Sequence, residues 1–131
     1  MAGLIWFVQV VHYPLLRAVG SEGYAAYQRE HMRLTTWVVG PPMLIEAATA
    51  AALVTQPPDA LEPAWLWWNA ALLGVTWVST WLAQVPRHEE LAAGFNAPAH
   101  RRLVRSNLVR TICWTARSLI LLGLARSLMS V

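Results

Sequence analysis

The sequence predicts an all-α fold: a bundle of four transmembrane helices, with a short amphipathic interfacial helix between the first and second spans. Three observations lead there. Hydrophobic residues make up 56% of the 131 residues and charged residues only 13%, against about 45–50% and about 25% in average soluble domains. Apolar runs of about spanning length recur at residues 3–20, 35–55, 64–84 and 103–125, and a helix needs about 20 residues to cross a bilayer. There are eight tryptophans, a residue that favours membrane–water interfaces. The length suits one integral membrane domain, residues 1–131.

The first run, from Gly3 to Gly20, is interrupted by Gln9 and His12, and Pro14 is expected to kink it or end its regular part. It has no basic residue ahead of it, and Arg17 stands after its apolar part, so no cleaved signal peptide is expected. Ser21 is a candidate cap for the next helix, with Glu22 in its first turn. Tyr24, Tyr27 and Met32 alternate with Arg29, Glu30 and Arg33 in an interfacial pattern that leads into the second span, Thr35 to Thr55. Gly40-Pro41-Pro42 should bend that span. The alanines at 47, 48, 50, 51 and 52 suit close helix packing. A turn at Gln56-Pro57-Pro58-Asp59 precedes Glu62-Pro63, which starts the third helix. Trp65, Trp67 and Trp68 form a belt at its first end. It runs past Pro86 into Arg87-His88-Glu89-Glu90 and breaks at Gly94-Phe95-Asn96. The fourth helix starts near Pro98, a residue favoured in a first turn.

Orientation follows from the basic residues, all ten of them arginine. Seven flank the connections between spans one and two (Arg17, Arg29, Arg33) and between spans three and four (Arg87, Arg101, Arg102, Arg105). The middle connection carries none, and the last helix ends with Arg126 alone. The excess of positive charge on cytoplasmic loops places both termini on the non-cytoplasmic side of the cell inner membrane. Arginines set between apolar runs act as topology signals, so the net charge of +3 does not imply a nucleic acid partner. Cys113 is the single cysteine, which excludes an intrachain disulfide and leaves a buried, inert thiol as the expectation.

Ionisable side chains within spans are expensive, which makes them functional candidates. His12, Glu46, Arg110 and Arg117 qualify. On the fourth helix Asn107, Arg110, Thr111, Trp114, Arg117 and Ser118 share one face, while Leu108, Leu119, Ile120 and Leu122 can face lipid. That polar face should point inward toward Glu46, with Glu46–Arg110 or Glu46–Arg117 as an ion pair. The pair either fixes helix packing or leaves an arginine to hold an anionic group, since its fork matches carboxylate and phosphate. Gln84 and His88 lie four apart on the third helix and can share a face. His12, His31, Glu46 and His88 could together supply ligands for Fe, Cu or Zn, although no standard metal spacing is present. His100, beside Arg101 and Arg102, reads as a solvated surface residue. Asn69, Thr76, Thr80 and Gln84 form a stripe suited to bonds between helices, and Trp77 and Trp81 could flank a flat ligand. There is no phosphate-binding loop, dinucleotide fingerprint, haem attachment motif or nucleophilic triad.

His12-Tyr13-Pro14, Pro41-Pro42-Met43 and Asn107-Leu108-Val109-Arg110-Thr111 with Trp114 give the chain a resemblance to the small bacterial four-helix membrane proteins of the anthrone-oxygenase-like family, most of them uncharacterised. The resemblance implies a four-helix membrane fold. Some members are associated with oxidation of anthrones to anthraquinones, and no agreed catalytic constellation carries over.

Three functions are compatible with these features. The first is an oxidoreductase or oxygenase acting on a lipophilic aromatic or quinone-like molecule in the cytoplasmic half of the bundle. There Arg110 and Asn107 would hold a developing oxyanion, and His12 or His88 would act as base or metal ligand. Glu46 joins them as a catalytic candidate, and Gln84, Trp114 and Arg117 are the substrate-binding candidates. The second is an accessory subunit or assembly factor of a larger membrane complex, or a homo-oligomer, using the alanine face and the tryptophans as interfaces. The third is a small transporter or channel with Glu46 and the histidines as a proton path, disfavoured by four spans without a repeat.

Overall fold

A computed structural model describes residues 1–129. Ser130 and Val131 lie outside the described residues, so the C-terminal end of the orientation expectation does too. All regular structure among the described residues is helical. Four helical stretches pack together: α1 (residues 2–18), α2 (Tyr24–Thr55), α3 (residues 63–92) and α4 (Ala97–Met129). Two of them, α2 and α4, are long and apolar enough to cross a membrane.

Proline explains the irregular places in α1 and α3. Pro14 and Pro86 lack the N–H that would bond the carbonyls of Val10 and Leu82, and their rings crowd the preceding turn. In each case a π turn absorbs the mismatch immediately upstream, at Val8–His12 and at Thr80–Gln84. Such turns widen the helix by one residue and rotate the side chains that follow. α1 then closes in a short 3-10 turn, Leu16–Ala18, so Pro14 ends its regular part without breaking it. By contrast, α2 continues through Pro41 and Pro42 as one helix of 32 residues.

Two boundaries differ from expectation. The amphipathic stretch after Ser21 is not a separate interfacial helix, because it forms the first turns of α2. Nor does Ser21 cap that helix. The N-cap is Gly23 at φ 84°, and Gly20 also has positive φ. Two left-handed residues close together turn the chain sharply enough to start α2 directly, and glycine adopts that conformation without a steric penalty. The other boundaries agree with the reading. Pro63 opens α3 behind Glu62, and α3 passes Pro86 to Ala92. Asn96 Oδ1 accepts a bond from the Ala99 N–H at 3.0 Å, capping α4.

Polar and apolar residues share the interior, and many large apolar residues lie on the outside. Gln28, Asn69, Thr76, Gln84, Asn107, Arg110, Thr111 and Arg117 are buried, whereas Trp37, Leu44, Ile45, Trp81, Leu82, Leu119 and Leu122 are more than 60% exposed. The inward polar face of α4 is as expected, and Leu108, Leu119 and Leu122 lie on the outside. Apolar contact occurs in two clusters. Tyr13, Leu16, Tyr24, Leu91, Ala99 and Leu103 pack at the arginine-rich end. Ile5, Met43 and Trp114 pack further along the bundle. Cys113 is buried and free.

Candidate functional site

The two π turns and their prolines set α1 and α3 so that polar side chains meet α2 and α4 between the two apolar clusters. The Tyr13 hydroxyl lies at the centre. It contacts His88 Nε2 at 2.8 Å and donates to Gln84 Oε1 at 3.3 Å. The other nitrogen of His88, Nδ1, lies 2.7 Å from the Gln28 amide nitrogen on α2. An amide N–H is a donor, so this contact makes Nδ1 the acceptor and puts the ring proton on Nε2, facing the Tyr13 oxygen. Gln84 in turn donates to the Ser106 hydroxyl at 2.8 Å. The shared face of Gln84 and His88 read from their spacing is therefore real, and both residues converge on Tyr13.

A second pair completes this end. His12 Nε2 and His31 Nδ1 are 3.1 Å apart, and the Thr35 hydroxyl is also 3.1 Å from His31 Nδ1. The His31 and His88 rings lie 5.3 Å apart between centroids.

From α4, Arg110 enters beside Tyr13. It is only 6% exposed. Its Nη1 donates to Asn107 Oδ1 at 3.2 Å, and the Asn107 amide donates to Gln9 Oε1 at 2.9 Å. Gln9 donates to the Val104 carbonyl at 3.2 Å. The guanidinium lies 4.9 Å from the centre of the Trp114 ring, a cation–π distance. Arg110 Nε has no partner, and among the described residues no acidic side chain pairs with Arg110.

Glu46 belongs to a separate group. Its Oε2 is 3.1 Å from Arg117 Nη1 and accepts from Trp114 Nε1 at 2.8 Å. Arg117 Nε also donates to Asn69 Oδ1 at 3.0 Å. Of the two ion pairs allowed by the sequence, Glu46–Arg117 is the one formed. The four candidate metal ligands are thus divided, with three histidines at one end and Glu46 with Arg117. Among the described residues no three His, Cys, Asp or Glu side chains converge in a metal-binding arrangement.

A cleft of about 370 Å³ leads to the Tyr13 network. Its walls come from α2 and α3 and include Val39, Met43, Leu44, Trp77 and Trp81; its polar end is formed by Gln84, His88 and Arg110. Leu44 and Trp81 are more than 60% exposed, so the cleft opens sideways through the apolar exterior. Trp77 Nε1 is a second buried donor without a partner on this lining. The Thr36 and Thr80 hydroxyls, also on the lining, already donate to carbonyls in their own helix.

His100 is a correction. It is buried, not solvated, and its Nε2 donates to the Tyr13 carbonyl at 2.7 Å. Its position three residues into α4 turns it toward α1, whereas Arg101 and Arg102 point outward. Sequence reasoning passed over Tyr13, Gln9 and Gln28. Tyr13 stood inside the His12-Tyr13-Pro14 motif. Gln28, His31 and Thr35 lie three and seven apart, the helical spacing of a single face, and that signal could have found Gln28.

Neither a protein-family model nor a characterised protein nor a solved structure matches this chain.

Proposed function

We propose that this chain is a multi-pass integral membrane protein of the cell inner membrane, with four spans and both termini on the non-cytoplasmic side. In this reading it is an oxidoreductase or oxygenase that takes a lipophilic aromatic or quinone-like molecule into the cleft between α2 and α3. The carrying observation is a buried guanidinium, Arg110, with an unpartnered Nε at the polar end of a cleft that opens through an apolar surface. Both unpartnered donors on that lining, Arg110 Nε and Trp77 Nε1, call for an acceptor oxygen, and the apolar aromatic walls call for a flat hydrocarbon body. A quinone, phenolate or enolate offers both.

The apolar exterior and the buried polar side chains support the membrane placement. Backbone groups in hydrocarbon must be satisfied internally, which helices achieve, and polar side chains must then turn toward one another. α1 and α3 join α2 and α4 as spans because their exteriors carry the same kind of surface, with Phe7, Val10, Trp67, Trp68 and Leu82 exposed. A topology reporter fused at Val131 that is active only in the cytoplasm refutes the proposed orientation.

The resemblance to anthrone-oxygenase-like proteins suggests the class of reaction. A methylene flanked by aromatic rings and conjugated to a carbonyl loses a proton, and the enolate oxygen rests on Arg110. Dioxygen accepts the electrons, and the methylene becomes a carbonyl with release of water. His88 Nδ1 accepts from the Gln28 amide and its ring proton faces Tyr13, so His88 takes the substrate proton only when the Gln28 amide releases Nδ1.

The test is binding and turnover in detergent. A quinone or anthrone should quench the tryptophan fluorescence of Trp77 and Trp81, and an oxygen-free hydrocarbon of the same shape should bind at least tenfold more weakly. Arg110→Gln should abolish that preference and the uptake of dioxygen with anthrone. Equal binding of the two probes by the unaltered protein overturns the ligand class, and undiminished turnover in Arg110→Gln removes Arg110 from the mechanism.

A further inference from the structure

A second cavity, of about 710 Å³, lies on the other side of α4 near its first turns, against the end of α1. Its rim holds Arg17 from α1 with Arg101 and Arg105 from α4, and its floor includes Pro14, Phe95 and Val104. The pairing of arginines at this end is uneven. Arg33 pairs with Glu30, and Arg87 and Arg102 share Glu90. Arg17, Arg101 and Arg105 pair with no acidic residue among the described residues, and no acidic residue lines the groove. Three like charges from two helices held around one concavity repel each other, so an anion seated between them relieves the repulsion. The apolar floor adds contact with hydrocarbon.

We propose that this groove binds the headgroup of an anionic phospholipid, with the phosphate among Arg17, Arg101 and Arg105 and the glycerol and upper acyl chain against Phe95, Pro14 and Val104. The site is separate from the Tyr13 cleft and rests on the membrane placement proposed above, not on the oxidoreductase reading. The groove sits where α1 ends and α4 begins, the level at which a headgroup meets the helices of a bundle. Guanidinium forks bind phosphate oxygens in bidentate fashion, and each arginine near an anionic surface contributes roughly a fivefold preference. Together the three should favour an anionic lipid over a zwitterionic one by roughly a hundredfold.

The experiment is native mass spectrometry of the full-length protein in mixed micelles of phosphatidylglycerol and phosphatidylcholine. The unaltered protein should retain one phosphatidylglycerol preferentially. The triple variant Arg17→Gln/Arg101→Gln/Arg105→Gln should lose that preference. The control Arg33→Gln/Arg87→Gln/Arg102→Gln, which removes the same charge from the same end, should keep it. If the triple variant does not fold, Arg101→Gln and Arg105→Gln singly should each cost about fivefold. Equal retention of the two lipids overturns the proposal, as does equal loss in the control. Displacement by glycerol phosphate at the same concentration as lipid makes the occupant a soluble anion and also overturns it. Recovery of the protein in the aqueous fraction on detergent phase separation sinks the membrane placement and this site with it.

Discussion

Replacing Glu46 with alanine should cost the fold about 3–4 kcal/mol, and the magnitude follows from its partners. Arg117 is 3% exposed and Glu46 is 24% exposed in side chain, with Oε2 and Nη1 3.1 Å apart. Removing one member of a buried pair typically costs about 3–5 kcal/mol, because the other charge is left uncompensated. The partial exposure of Glu46 and the surviving bond from Arg117 to Asn69 favour the lower end. Loss of the Trp114 acceptor adds roughly 1 kcal/mol. At about 4 °C per kcal/mol for a chain of this size, the Tm should fall by roughly 12–16 °C. Thermal unfolding in detergent, followed by near-ultraviolet circular dichroism, measures it. Glu46→Gln keeps an acceptor for Trp114 and should lose less. The pair Glu46→Leu/Arg117→Met should recover most of the loss, since exchanging a whole buried pair for apolar groups is often neutral. A Tm for Glu46→Ala within about 2 °C of the unaltered protein would refute the reasoning and make the pair energetically silent.

Two further outcomes are expected. Tyr13→Phe removes the hydroxyl bonded to His88 and Gln84 and should cost about 1–2 kcal/mol by thermal unfolding; no change would show that the hydroxyl does not organise the site. Finally, His100→Ala should cost about 1–2 kcal/mol through the lost bond to the Tyr13 carbonyl, whereas Arg101→Ala should stay within about 0.5 kcal/mol; equal effects would return His100 to the surface.

The helices were legible because their signals are local. Glu62-Pro63, Gly94-Phe95-Asn96 and Pro98 each act on the backbone beside them, and the 3.6-residue period orients Asn107, Arg110, Thr111, Trp114 and Arg117 with no knowledge of any neighbour. Local rules reached as far as Gln84 and His88 on one face of α3. They failed at Ser21, where two positive-φ glycines outweighed a good capping residue, and at His100, whose neighbours Arg101 and Arg102 suggested water while its own direction on α4 pointed to α1.

The sequence by itself determined the helical class, the places where the helices break, and the inward polar face of α4, since each depends on residues a few positions apart. Only the tertiary structure decided that Glu46 pairs with Arg117, that Arg110 has no acid partner among the described residues, and that Glu46 stands apart from the histidines. Those outcomes depend on the relative rotation of four helices. One helical residue is a turn of about 100°, and the π turns at Val8–His12 and Thr80–Gln84 add such a step in α1 and α3. No periodicity within a single segment records where that step places its side chains against another helix.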